Sequence, residues 1–175
     1  MPVVVAGVFV LVLIAFIVAF LLNRSPSGGQ PINNIRCESG EQLATHFHTH
    51  VDILFHGQPA NIPASTGIQP DCLYWMHTHD TSGILHIEAP KQQASREFIL
   101  GDFFAIWNQP LSRSQVATFT VKSGEQLKVW VNGQPYDGDP SKIVLKSHEN
   151  IVLEIGPPFT DPPPTFAWDQ SQYPQ

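Results

Sequence analysis

From about residue 45 onward, apolar residues recur at strand-like spacing in short runs separated by Gly, Pro, Asn and Asp. The runs are VDILF (51–55), CLYWMH (72–77), ILHIEA (84–89), VATFTV (116–121), QLKVWV (126–131), KIVLK (142–146) and NIVLEIG (150–156). Side chains alternate faces along a strand, so each run can lay one face on a core. The spacing predicts strands at all seven. Asn132-Gly133 ends the fifth, and this dipeptide signals a tight hairpin because both central residues of such a turn need positive φ. The last two runs are expected to pair through a turn that holds His148. LGDFFAIWNQPL (100–111) instead has helical spacing, with Phe103, Phe104, Ile106 and Trp107 on a packed face and Pro110 as its stop. The pattern predicts a mainly β fold (β-rich α+β), as a compact β-sandwich or barrel-like domain with one short helix.

Residues 2–22 depart from this rhythm, being continuously apolar and uncharged. A helix of that length crosses a bilayer core of roughly 30 Å. A signal peptide has a basic start, a shorter apolar run and a small-residue cleavage site. Those features are missing here, so a retained single-pass anchor over 1–22 is expected, with membrane lipid as its partner. A polar Gly/Ser/Pro linker follows at 23–36, then the β-rich domain at 37–156. The tail at 157–175 is proline-rich and carries Phe159, Phe166, Trp168 and Tyr173. Its composition fits disorder, yet so many aromatics fit docking on the domain or on a partner in a membrane complex equally well.

ILFHGQPANIP and VWVNGQPYDGDP both run from a strand into [HN]GQP. An old duplication explains this, and so does the same turn chemistry used twice.

Charge removes one class of partner. The formal net charge is −6, and the nine Lys and Arg residues are scattered. No basic cluster tracks a phosphate backbone, so nucleic acid is excluded as a ligand. P-loop, dinucleotide-fold and nucleophile-elbow patterns are also missing from the sequence. The only two cysteines, Cys37 and Cys72, are expected to form a disulfide. Closing a loop of about 36 residues stabilises by roughly 3–4 kcal/mol in the chain-entropy model. Such a bond persists in an oxidising compartment, which puts the domain on the periplasmic or extracellular side. Arg24, the one fixed charge beside the apolar run, argues for the opposite orientation.

The candidate chemistry lies in the histidines. Seven of the eight fall between residues 46 and 86, in HFHTHVD (46–52), at His56, and in CLYWMHTHDTSGILHIE (72–88). Alternation puts His46, His48, His50 and Asp52 on one face of an extended segment. His77 shares a face with His79, and His86 with Glu88. Three such pairs on adjacent strands converge on one point. Neutral imidazole suits Zn, Cu, Fe or Ni. The expected metal ligands are His48, His50, His77, His79 and His86, with His46, Asp52, Asp80 and Glu88 as ring-orienting or secondary groups. Copper or zinc is the expected ion, and a second ion would account for histidines beyond one tetrahedral shell. His56 and His148 read as turn residues, and Asp80 as a possible turn-former. Because imidazole binds metal only when neutral, affinity is expected to fall as pH drops through about 6.5.

CLYWMHTHDTSGILHIEAP, followed by FILGDFFAIWNQPL and VNGQPYDGDP, resembles an uncharacterised family of small membrane-anchored bacterial proteins. Its pattern is H-x-H-x-H, then C-L-Y-W-x-H-T-H-D-x-x-G-x-x-H-x-E, then L-G-x-F-F-x-I-W. The likeness spans roughly residues 37–157. It implies a shared domain in which His46, His48, His50, His77, His79, His86 and Glu88 belong together, and it carries no activity with it. A fainter likeness to cupins fails on spacing. Cupins place the Glu three or four residues after H-x-H, whereas Glu88 follows His79 by nine.

Three functions remain open at this point. One is a tethered copper- or zinc-binding module. Another is a metalloenzyme with an open coordination position. The third is an accessory subunit of a larger membrane complex, respiratory or photosynthetic in type, gripped through the anchor and tail.

Overall fold

The computed structural model describes residues 29–173. The expected anchor at 2–22 lies outside them. Among the described residues no helix is long and apolar enough to cross a membrane.

The described chain is mainly β with one short helix. In order it forms β1 (Cys37–Glu38), β2 (Thr45–Phe55), β3 (Gln58–Pro59), β4 (Leu73–Tyr74), β5 (Met76–His77) and β6 (Ile84–Ala89). The helix α1 (Leu100–Ile106) follows, then β7 (Leu111–Ser112), β8 (Gln115–Val116), β9 (Phe119–Thr120), β10 (Gln126–Val131), β11 (Gln134–Pro135) and β12 (Glu149–Gly156). The main sheet runs β11-β10-β12-β2-β6-β5, with β3 also on β2. This path is open: β11 and β5 do not pair. β12 lies parallel to β2, and the other pairs are antiparallel.

Register divides the sheet into two faces. Directly paired residues share a face, so Val51 and Ile53 of β2 lie with Ile151 and Leu153 of β12 and, through these, with Val129 of β10. Leu85, Ile87 and Met76 continue that face across β6 and β5. These residues are apolar and buried, and join a core with Phe98, Leu100, Phe103 and Phe104 around α1. At roughly 25 cal/mol per Å2, each such side chain contributes about 1.5–3 kcal/mol. The opposite face carries His46, His48, His50, Asp52, Ile84, His86, Glu88, His77, Asn150, Val152 and Glu154. Every residue of β12 is nevertheless buried, because the tail folds back over this second face. Thr160 N–H donates to Glu154 Oε1 at 2.7 Å, Asn150 Nδ2 donates to the Pro164 carbonyl, and Phe166 stacks on His50 at 4.0 Å. The four aromatics of the tail therefore have a physical use: they roof a polar, histidine-bearing face.

Cys37 and Cys72 are disulfide-bonded. The packed chain reaches back beyond the bond. Ile35 is fully buried, Gly29 N–H contacts Cys72 Sγ, and Tyr74 Oη donates to the Gln30 carbonyl. The second half of the expected linker is thus folded against the domain.

Several elements differ from the sequence pattern. The expected hairpin of 142–146 with 150–156 does not form. Asp139 and Pro140 start a 3-10 turn at Pro140–Lys142, and both edges of β12 are already taken by β10 and β2. The run 72–77 breaks into β4 and β5. The run 116–121 breaks at Ala117, whose φ is 48°. α1 ends early, at Ile106. Asn108 takes φ 56°, its N–H donates to the Ala105 carbonyl, and Gln109 N–H donates to that of Phe104. This is a Schellman cap with asparagine in the left-handed position, so the stop precedes Pro110. The two GQP turns are alike, with φ 52° and 73° at His56-Gly57 and 51° and 73° at Asn132-Gly133. Their surroundings differ. β3 lies on the β6 side of β2, whereas β11 and β12 flank β10 on opposite sides. Shared turn chemistry is sufficient to explain the likeness.

Candidate metal centre

The site is built on three neighbouring strands. β2 and β6 pair His46 with Glu88 and His48 with His86, and β5 pairs His77 with the same His86. His86 is therefore the middle of a three-histidine row across the sheet. His79, just beyond β5, brings its ring to 4.9 Å from that of His77 and 4.4 Å from that of His86.

Two groups of ligand atoms result, each with all its members within 4.8 Å of one another. One is His77, His79, His86 and Glu88, and the other is His46, His48 and His86. Glu88 lies between them. Its Oε1 is 3.5 Å from His86 Nδ1, 3.6 Å from His46 Nε2 and 3.9 Å from His77 Nε2. These are too long for good hydrogen bonds. They match the separation of neighbouring ligands around one ion, about 3.4 Å for bonds of roughly 2.0–2.1 Å.

The chemistry of the donors fits a metal. His77 is fully buried, and its Nδ1 donates to the Tyr74 carbonyl at 2.9 Å. That bond fixes the tautomer and leaves the Nε2 lone pair facing Glu88, the outer-shell arrangement usual for metal-bound histidine. Among the described residues, His77 Nε2, His48 Nδ1, His86 Nδ1 and Glu88 Oε2 are all buried without a hydrogen-bond partner. Four unpaired polar atoms in one place would cost several kcal/mol if nothing bound them.

Electrostatics keeps the nitrogens available. Burial lowers His48 to about 4, with nearby His86 and His46 adding to the effect. Burial likewise lowers His77 to about 4, against the opposing Tyr74 hydrogen bond and Glu88 charge. For these two, proton competition begins near pH 4 rather than 6.5. Burial pushes Glu88 up, but the His86 contact and the neighbouring imidazoles outweigh it and hold the carboxyl below its ordinary value.

The remaining sequence candidates lie elsewhere. His50 stands outside both groups. Its Nε2 donates to the Ser82 carbonyl, its Nδ1 lies 2.9 Å from Asn150 Oδ1, and Phe166 covers its ring. Asp52 Oδ2 lies 3.6 Å from His50 Nδ1, and burial raises its carboxyl. Asp80 is exposed, and its Oδ1 accepts from Ser82 N–H, holding the turn into β6. Hydrogen bonding from the Ser82 hydroxyl, and then from its N–H, keeps the Asp80 carboxyl below the ordinary value. His56 bridges Glu125 and the Pro157 carbonyl. His148 stacks under Trp168 while its N–H donates to the His48 carbonyl.

An open cleft of about 390 Å3 leads to the cluster, lined by His46, His48, His79, His86 and Glu88 and rimmed by Glu41, Asp80, Gln172 and Tyr173. Tyr173 packs edge-on against His48 at 4.9 Å. Glu41, Gln172 and Tyr173 were not singled out for the site from sequence. Only the aromatic content of the tail hinted at Tyr173.

No protein-family model, curated protein or solved structure matches this chain. The site's own geometry therefore carries the functional argument.

Proposed function

We propose that the chain is a metal-binding protein of the extracytoplasmic side, tethered to the membrane through residues 2–22, that holds copper or zinc at His77, His79, His86 and Glu88. One observation carries the reading: four ligand atoms converge within 4.8 Å, and the buried His77 Nε2 among them has no other partner among the described residues. Three imidazoles and a carboxylate suit Zn(II) or Cu(II). The disulfide supports an oxidising compartment, and the uncharged run at 2–22 supports the tether. Metal analysis of the full chain, purified in detergent, tests this. Bound ion is expected in wild type. His77→Ala with His79→Ala should lose the ion of this group, while His148→Ala should not. Full metal content in the double variant would sink the reading.

The cleft favours a second reading. An ion there would face a cleft of about 390 Å3, and a metal with an open position can activate water or polarise a substrate. Hydrolysis of simple esters or phosphoesters by the loaded protein, lost in the same double variant, would move the protein to the enzyme class.

A further inference from the structure

We infer that this face holds two ions that share Glu88, the second ion taking His46 and His48, with His86 standing between them as a ligand to one. The inference rests on the metal-binding reading above and extends it. The first argument is sheet geometry. β2 and β5 lie on opposite sides of β6, so His48 and His77 start from strands about two spacings, roughly 9–10 Å, apart. Ligands on opposite sides of a single ion stand only about 4.2 Å apart for bonds of roughly 2.1 Å. His48 and His77 instead fall in separate groups, each closed within 4.8 Å.

The unpartnered atoms give the second argument. One ion among His77, His79, His86 and Glu88 leaves His48 Nδ1, in a residue only 5 % exposed, with nothing to bind. An ion on the β2 side gives that nitrogen a partner. Glu88 has the means to serve both ions. Its Oε1 already lies between His46 and His77, and its Oε2 is buried and unpaired. A carboxylate placed so can bridge two cations and offset their repulsion, and paired sites of this kind hold their ions roughly 3.5–4 Å apart. His46, His48, His79 and His86 all line the one cleft, so both ions would be reached from the same mouth.

The test uses the full chain in detergent, stripped with a chelator, loaded with Zn(II) or with Cu(II), desalted and analysed for metal per chain. Two ions are expected in wild type. One is expected in His46→Gln with His48→Gln, and one in His77→Gln with His79→Gln. Copper at two equivalents should give a dipolar-broadened paramagnetic spectrum, and each double variant an isolated-ion spectrum. Circular dichroism and the mapped disulfide exclude misfolding as the cause of any loss. Saturation at one ion in wild type overturns the two-ion centre and leaves the single site standing. An isolated-ion spectrum at two equivalents also overturns it, since the second copper is then remote. No bound metal in wild type overturns both this inference and the proposed function.

Discussion

His48 and His86 are register partners across β2 and β6, their rings 4.5 Å apart and perpendicular. His86 has the same relation to His77 of β5, with ring centroids 5.5 Å apart. One residue of the central strand is thus common to everything the two flanking strands contribute. His86→Ala is expected to lower metal content more than any other single histidine change, and metal analysis beside His46→Ala and His79→Ala checks this. Equal losses in all three would show that the ion does not sit at the row's centre.

His50 gives the contrasting expectation. Its nitrogens face Asn150 and Ser82, and its ring is stacked by Phe166. His50→Ala should keep the metal content of wild type and lose about 2–4 kcal/mol of stability through lost buried hydrogen bonds and packing. Parallel metal analysis and urea unfolding measure both, and loss of metal without loss of stability would contradict the geometry.

His50 also shows where sequence reading stops. Alternation alone put His46, His48, His50, His77, His79 and His86 on strand faces, and period-2 runs marked β6 and β10 to the residue. Alternation gives a face but not a register. Only the pairing of His46 with Glu88 and of His50 with Ile84 shows that Glu88 enters the cluster while His50 leaves it toward β12. The Tyr74 carbonyl that orients His77 is a backbone group, which no side-chain pattern reports. The break of 72–77 into two strands, and the missing hairpin at 142–146, depended on which strand edges were still free.

Acid should weaken the metal-free fold. Folded His48 and His77 sit at about 4, below the ordinary 6.5. Between about 6.5 and 4 the unfolded chain therefore binds protons that the folded chain does not. Stability is expected to fall as pH decreases through that window, with Glu88 acting in the same direction lower down because its folded value is depressed. Urea midpoints at pH 7.5, 6, 5 and 4 read this slope, and His77→Gln should flatten it. A midpoint that does not change from pH 7.5 to 4 would mean these rings are solvated.

Cys37→Ser with Cys72→Ser should cost about 3–4 kcal/mol by the loop-entropy argument. The bond ties β1 to the segment leading into β4 and β5. Metal content should fall along with the thermal midpoint, because the His77 carrier is the strand set loose. An unchanged midpoint would show that contacts such as the buried Ile35 fix this segment alone.

Removing residues 165–175 strips Phe166, Trp168 and Tyr173 from His50, His148 and His48. Aromatic contacts of this kind contribute about 0.5–1.5 kcal/mol each beyond their buried area. The truncated chain should keep its metal stoichiometry but release the ion to a chelator several-fold faster, since Gln172 and Tyr173 rim the cleft. Release at the wild-type rate would show that the tail does not restrict the mouth.

The parallel pairing of β2 with β12 sets an order of events in the life of the chain. Residues 49–55 are held by residues 149–155, so β2, whose His46 and His48 pair with β6, gains its other neighbour only once β12 has been made. Contacts this distant in sequence form late. Until then β2 has a neighbour on one side only. A fragment that stops short of Glu149 would carry His46 and His48 on a strand supported from one side only, and it is expected to hold the ion less firmly.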